Sequence, residues 1–243
     1  MKAHRAIEKG AKNGLPWLRP SVIHRLRRFA NTEMTSTRRP IILLALLALA
    51  VPAIASEQPA PAEPALKLVQ AARAQIGVTT GYDGAWRRIG YPMGDVPIST
   101  GVCTDVVIRA WRGQGVDLQQ LVHEDMRRAW QAYPKQWGLK RPDTNIDHRR
   151  VPNLATFFKR HGHALPASRN LADYQPGDMV TWMLPGNLPH IGIVSNRKGA
   201  DGAPLVIHNV GAGTQEENAL LRWPITGHYR YRPAPRRGTG AER

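Results

Sequence analysis

The spacing of apolar residues changes along this chain, and that change limits the possible folds more than any other feature. Residues 103–111 place apolar side chains every three or four positions, which predicts one buried helix face. Farther along, apolar residues form short runs at 179–183, 190–195 and 205–208, which predict buried strands. Helices followed by short strands predict an α+β domain in which N-terminal helices pack on a C-terminal antiparallel sheet.

The same signals predict further elements. Helical spacing that ends at a glycine or a turn predicts helices at 65–76, 118–133 and 151–161. Aromatic residues near the C-terminus predict a last strand at 227–231. The helix at 103 is expected to end at Gly113. The glycine-rich segment 78–102 is expected to be irregular.

Residues 38–56 have the layout of a secretory signal peptide. Arg38 and Arg39 precede an apolar run at 41–51, and small residues up to Ala55 form a cleavage site. The run is short for a membrane span. We expect cleavage after Ala55 and a periplasmic or secreted mature protein that meets the membrane only during export. An uncleaved anchor is the alternative.

The remaining boundaries follow from this signal. Signal peptides begin near the initiating methionine, so 34–55 is expected to be the signal peptide and 1–33 a disordered extension upstream of the true start. A basic cytoplasmic leader is the alternative. The Pro- and Ala-rich segment 56–65 predicts a linker, 66–231 the folded domain and 232–243 a disordered basic tail.

The formal net charge of +16 would by itself indicate a nucleic-acid or membrane partner. Half of this excess lies in residues 1–55, and much of the rest lies in arginines close to the C-terminus. The folded domain is therefore only mildly basic. We expect no nucleic-acid partner, no cofactor and a monomer.

The sequence contains one cysteine, Cys103, so no disulfide can form within the chain. A free cysteine is most often a small buried apolar residue. Cys103, however, is predicted in the first turn of a helix after a glycine-rich loop, where the helix N-terminus lowers the pKa of a thiol. Asp105 is expected to cap this helix. The context favours a reactive thiolate.

Two histidines lie at facing ends of a predicted hairpin. His190 opens one strand and His208 ends the next, so pairing across loop 196–204 makes them neighbours. The pattern predicts a cysteine hydrolase in which His190 is the base for Cys103 and His208 orients His190. The Cys103 amide is expected to contribute to an oxyanion hole. The domain's other histidines have polar or basic neighbours and are expected at the surface: His123, His148, His161, His163 and His228.

The order of these motifs resembles the NlpC/p60 superfamily of cysteine peptidases, whose fold is papain-like. The matching motifs are GVCTDVV at the nucleophile, GDMVTW at a strand, HIGIV at the base and VIHN at the third residue. Longer strings, including YPMGDVP, GVCTDVVIRAWR and ITGHYRY, resemble the domain-of-unknown-function family 1287 across 66–231. The resemblance implies an exported enzyme that uses Cys103, His190 and His208 to cleave amide bonds in peptidoglycan stem peptides through an acyl-thioenzyme.

The superfamily also has a tyrosine before the nucleophile that helps the oxyanion hole. Tyr82 is the best match and Tyr91 the second. The segment 123–150 has no counterpart in the minimal superfamily and is expected to wall one side of the cleft. Arg149 and Arg150 would there bind a substrate carboxylate, or would form a solvated surface pair.

Three other functions remain open at this point. The domain could be a cell-wall binding module without catalysis, or an N-acyl amidase or transpeptidase that uses the same acyl-thioenzyme. It could also hold zinc on Cys103, His190 and His208, with Asp178 as the fourth ligand. The spacing of these residues fits no compact zinc motif, so no metal is expected.

Overall fold

A computed structural model describes residues 62–233. The predicted signal peptide, the extension before it, most of the linker and most of the basic tail therefore lie outside the described residues. The described residues belong to one compact unit, 56–243. Between residues 62 and 233, no helix is long and apolar enough to cross a membrane.

The described part is a mixed α+β domain, as predicted. Its helices come first in the chain: α1 (Glu63–Arg73), α2 (Cys103–Arg112), α3 (Leu118–Arg128) and α4 (Val151–His161). The strands follow: β1 (His163–Leu165), β2 (Met179–Leu184), β3 (Leu188–Lys198), β4 (Pro204–Asn209), β5 (Thr214–Glu217) and β6 (Ile225–Arg230). Short 3₁₀ turns lie at Trp130–Ala132, Asp147–Arg149 and Leu171–Asp173.

The helices begin and end for local reasons that the sequence largely shows. The Asp117 side chain caps α3 by accepting hydrogen bonds from the first backbone amides of that helix. Gly113 follows α2, and α4 has the predicted bounds. Three ends are wrong. Helix α1 spans Glu63–Arg73 instead of 65–76. Helix α3 stops at Arg128, because the chain continues there as a separate 3₁₀ turn.

The six strands form one antiparallel sheet in the order β1-β6-β2-β3-β4-β5. The predicted strands are confirmed, and the predicted hairpin β3–β4 pairs in register, with Ile193 opposite Ile207. The two edge strands β1 and β5 were not predicted. Both are short, and TQEE is polar, so neither contains the apolar run that marks a buried strand; an edge strand has only one neighbour in the sheet.

The sheet separates two cores, because successive side chains of a strand point to opposite faces. One face, which includes Met179, Ile191, Ile193 and Ile207, packs on α1, α2 and α4, and α3 completes the same core behind them. The other face packs under the chain segments around Tyr174 and Leu220, and its strand residues include Val180, Trp182, Val194 and Val206. Helix α2 lies in the first core with every residue from Cys103 to Trp111 buried.

The irregular segment 78–102 is held by hydrogen bonds from α2. Arg109 is 7% exposed and donates to the Asp95 carboxylate and to the backbone oxygens of Val96 and Thr100. One buried guanidinium thus satisfies several loop acceptors that no regular secondary structure would bond. This arrangement fixes the loop that leads into Cys103.

Candidate active site

Cys103 is the first residue of α2, and its side chain lines a cleft. Three backbone amides favour the charged form of the sulfur, those of Cys103 and Thr104 at the helix start and that of Ile191. The last of these comes from strand β3, so the thiol sits where the helix N-terminus meets the sheet. The cleft has a volume of about 190 Å³ and is lined by Tyr82, Gly84, Val102, Cys103, Trp137, Ile146, Arg149, Arg150, Val151, Pro152 and Pro189.

The thiol is nearly closed off from solvent, with 4% of Cys103 exposed. Burial raises the pKa of Cys103 to about 12, although the three amides favour the thiolate; the charge of Asp105 adds to the rise. The sequence-based expectation that the helix N-terminus lowers this pKa is therefore wrong for the protein in this state. Loss of hydration outweighs the helix dipole here.

Tyr82 lies where the resemblance implies, beside the thiol. Tyr82 lines the cleft together with Cys103 and is 46% exposed as a whole, while burial of part of the ring, followed by the charge of Cys103, raises the pKa of Tyr82. The phenol therefore stays protonated and can donate a hydrogen bond at the position of the reacting sulfur. Tyr91 lies elsewhere: its ring packs edge-on against His123, 5.2 Å between centroids, and it does not line the cleft.

The two hairpin histidines form a hydrogen-bonded chain that ends on a carboxylate. Nε2 of His190 lies 2.7 Å from Nδ1 of His208, and Nε2 of His208 lies 3.0 Å from Oε2 of Glu217. An ionised carboxylate only accepts, so His208 carries its proton on Nε2 and accepts at Nδ1. His190 then carries its proton on Nε2. Within residues 62–233 nothing then bonds Nδ1 of His190, whose lone pair is what a general base requires.

His190 and Cys103 lie near the same stretch of β3, but His190 points to the sheet face opposite that of Ile191, and it does not line the cleft. Ile191 packs in the helix-side core with Cys103, while His190 packs against Trp182 and Trp223. Within residues 62–233, no hydrogen bond connects the Cys103 sulfur to His190. Burial and the charge of His208 lower the pKa of His190 to about 3, so both groups are neutral at pH 7.

A buried ion pair under the cleft joins α2 to the Tyr82 loop. Asp105 caps α2 by accepting from the Val102 amide at 2.6 Å, as predicted. Its two oxygens also accept from Nε and Nη2 of Arg149, both at 2.9 Å. Arg149 donates further to the backbone oxygens of Asp83 and Ala85. Arg149 is therefore a structural residue. The prediction that it binds a substrate carboxylate is wrong, because Asp105 already occupies the Nε–Nη2 edge of its guanidinium.

Asn209 makes a second connection that the sequence analysis missed. The side chain is fully buried, and Nδ2 donates to the backbone oxygens of Gly81 and Gly101, both at 3.1 Å. Gly81 precedes Tyr82 and Gly101 lies two residues before Cys103. Asn209 thereby ties β4 to both loops of the site. The available signal was its position directly after His208 in the VIHN motif.

Several other sequence-predicted residues lie away from the cleft. Asp178 accepts from Arg230 at 2.7 Å and bonds His228 at 2.7 Å, so it does not join Cys103 as a metal ligand. Across residues 62–233, no group of three or more His, Cys, Asp or Glu side chains could hold a metal ion. His148 and His228 are 3% and 1% exposed, so their predicted surface positions are wrong. Polar sequence neighbours do not reveal burial that comes from tertiary packing.

The segment 123–150 contributes to the cleft wall, as expected. It supplies Trp137, Ile146 and the two arginines. Unlike Arg149, Arg150 keeps part of its guanidinium open to the cleft: Nη1 donates to Asp147 at 3.1 Å, and the group lies 4.1 Å over the Trp137 ring.

Comparison with known proteins matches this domain to one family. The family described as domain of unknown function (DUF1287) matches residues 69–231. The chain belongs to this family. The DUF1287 domain is also 58% identical to the uncharacterized protein YijF of Escherichia coli (strain K12) over 166 residues, which is 68% of this chain and 81% of the relative.

One solved structure also resembles the chain. The structure of NlpC1 from Trichomonas vaginalis matches it with a TM-score of 0.40 and 14% identity, covering 72% of this chain and 46% of that protein. The chain thus spans less than half the length of that protein.

Proposed function

We propose that this DUF1287 domain is an exported cysteine hydrolase that cleaves amide bonds in peptidoglycan stem peptides through an acyl-thioenzyme. The observation that carries the proposal is the hydrogen-bonded chain Glu217–His208–His190. Within residues 62–233 it leaves Nδ1 of His190 without a hydrogen bond, and the backbone amide of the next residue, Ile191, lies at the Cys103 thiol. Export and the cell-wall substrate are supported by the signal-peptide layout and by the motif resemblance.

The reaction follows from the protonation states of these groups. Nδ1 of His190 takes the thiol proton as the sulfur attacks the substrate carbonyl. The oxyanion accepts hydrogen bonds from the Tyr82 hydroxyl and the Cys103 amide. His190 then gives its proton to the leaving amine, and water hydrolyses the thioester with His190 again acting as base. His208 holds the tautomer of His190, and Glu217 holds that of His208.

The resting state has a neutral thiol and a neutral imidazole, because burial disfavours both charges. Proton transfer therefore accompanies attack by the sulfur instead of preceding it. Catalytic hydrogen bonds are often long in unliganded enzymes and shorten when substrate binds. The proposal accordingly requires His190 and Cys103 to approach one another in the substrate complex.

The test is digestion of purified sacculi by residues 56–243, followed by mass spectrometry of the released fragments. The control is Cys103→Ala, which keeps the helix and removes the sulfur. We expect stem-peptide fragments from the wild-type protein alone. Identical fragments from both proteins, or none from either, would remove the hydrolase proposal.

A second candidate is a cell-wall binding module with no catalysis. The raised pKa of the Cys103 thiol favours it, because the thiolate is scarce at neutral pH. In this case the wild-type protein and Cys103→Ala would sediment equally with sacculi and release nothing. Fragments that depend on Cys103 would exclude it.

A further inference from the structure

The side chains that line the cleft beside Cys103 carry positive charge. Its charged lining residues are Arg149 and Arg150, and no acidic residue lines it. Asp105 neutralises the charge of Arg149, because two hydrogen bonds join the two side chains. Both side chains are buried, with 2% and 3% exposed. Arg150 is also paired, with Asp147, but through a single contact at 3.1 Å, so its charge is the less fully neutralised of the two.

Arg150 has a free edge suited to a planar anion. Its single hydrogen bond to Asp147 uses Nη1, and within residues 62–233 neither Nε nor Nη2 makes a hydrogen bond. The Arg149 fork shows that the Nε–Nη2 edge binds a carboxylate in two bonds. In Arg150 the same edge is unoccupied.

The Trp137 ring lies against this group. The Arg150 guanidinium lies 4.1 Å over the ring, and Trp137 lines the same cleft while remaining 41% exposed. A contact with the face of an aromatic ring leaves the N–H groups at the edge of a guanidinium able to donate to an anion. Burial lowers the pKa of Arg150 although the charges of Asp147 and Asp143 act to raise it, and an incoming anion would raise it further.

We propose that Arg150 binds a free carboxylate of the ligand in two hydrogen bonds, with Trp137 covering the adjoining aliphatic part. The ligand class is an acidic peptide with a carboxylate near the amide presented to Cys103. As to the reaction, the inference rests on the function proposed above. The binding claim stands separately, because it concerns the cleft and not the chemistry.

The test uses Cys103→Ala protein and calorimetry with two matched peptides. One is L-alanyl-γ-D-glutamyl-diaminopimelate, and the other carries carboxamides in place of its free carboxylates. We expect the carboxylate peptide to bind about 10- to 100-fold more tightly, the usual range for hydrogen bonds between charged groups. Adding Arg150→Gln should abolish the difference. Arg150→Lys should restore little of it, because lysine keeps the charge and lacks the fork.

The matched control is Arg141→Gln, which removes the same charge from an exposed position. This variant should keep the preference for the carboxylate peptide. Equal affinity for both peptides, or a preference that survives Arg150→Gln, would overturn the inference, as would its equal loss in Arg141→Gln. Preference for the carboxylate peptide with no Cys103-dependent cleavage would instead sink the proposed hydrolase and leave the binding site standing.

Discussion

The buried pair Asp105–Arg149 offers the sharpest test of how this site is held together. Both side chains are almost fully buried, and the two hydrogen bonds between them are each 2.9 Å long. Asp105→Asn keeps the shape of the side chain but removes its charge, so Arg149 remains buried without a counterion. Breaking a buried pair in this way costs about 3–5 kcal/mol of the free energy of unfolding.

This loss is large against the total stability of a domain, which is about 5–15 kcal/mol. With a urea m-value of about 2 kcal/mol/M, the unfolding midpoint should fall by roughly 1.5–2.5 M. Urea titration followed by tryptophan fluorescence measures this shift. The control is Glu63→Gln at the exposed pair Lys67–Glu63, which should leave the midpoint unchanged.

The double variant Asp105→Asn/Arg149→Met separates charge burial from lost packing. It should be more stable than Asp105→Asn alone, because no unpaired cation remains in the interior. A midpoint shift below about 0.5 M for Asp105→Asn would show that the pair behaves like a surface pair and would refute the reasoning. A double variant less stable than the single one would do the same.

Three further predictions concern the sheet and the buried histidines. In Gly192→Ala the new Cβ would lie 2.7 Å from Cγ1 of buried Val206, so the domain should lose about 1–3 kcal/mol in urea unfolding; an unchanged midpoint would contradict this. Burial, then the charge of Arg149, lowers the pKa of His148 to about 3 from an ordinary 6.5. The contribution of His148 to stability is therefore present above pH 6.5. It is lost as the pH falls toward 3, by about 1.4 kcal/mol per pH unit. His148→Gln should flatten this slope in unfolding curves between pH 6.5 and 4, and an unaltered slope would count against it. Glu217→Gln should lower the pKa of His208 further in an NMR titration, because the carboxylate of Glu217 favours the protonated form of His208. A rise would mean that Glu217 does not accept a hydrogen bond from His208.

Local patterns in the sequence determined the elements and their order. Helix α4 has its predicted bounds because its apolar spacing and the following Gly162 act within one short segment. The approach of His190 to His208 was equally predictable, since a hairpin register follows from two apolar runs and the loop between them.

Only the tertiary structure decided the properties that depend on burial and on distant partners. The raised pKa of Cys103 comes from packing of α2 against the sheet, which removes water that no local pattern counts. Arg149 and Arg150 are adjacent in sequence but have different roles. Asp105, which lies more than forty residues earlier, occupies the Nε–Nη2 edge of Arg149 and leaves the same edge of Arg150 open. Periodicity reports which face of an element is apolar, whereas desolvation and ion pairing depend on which segments meet in space.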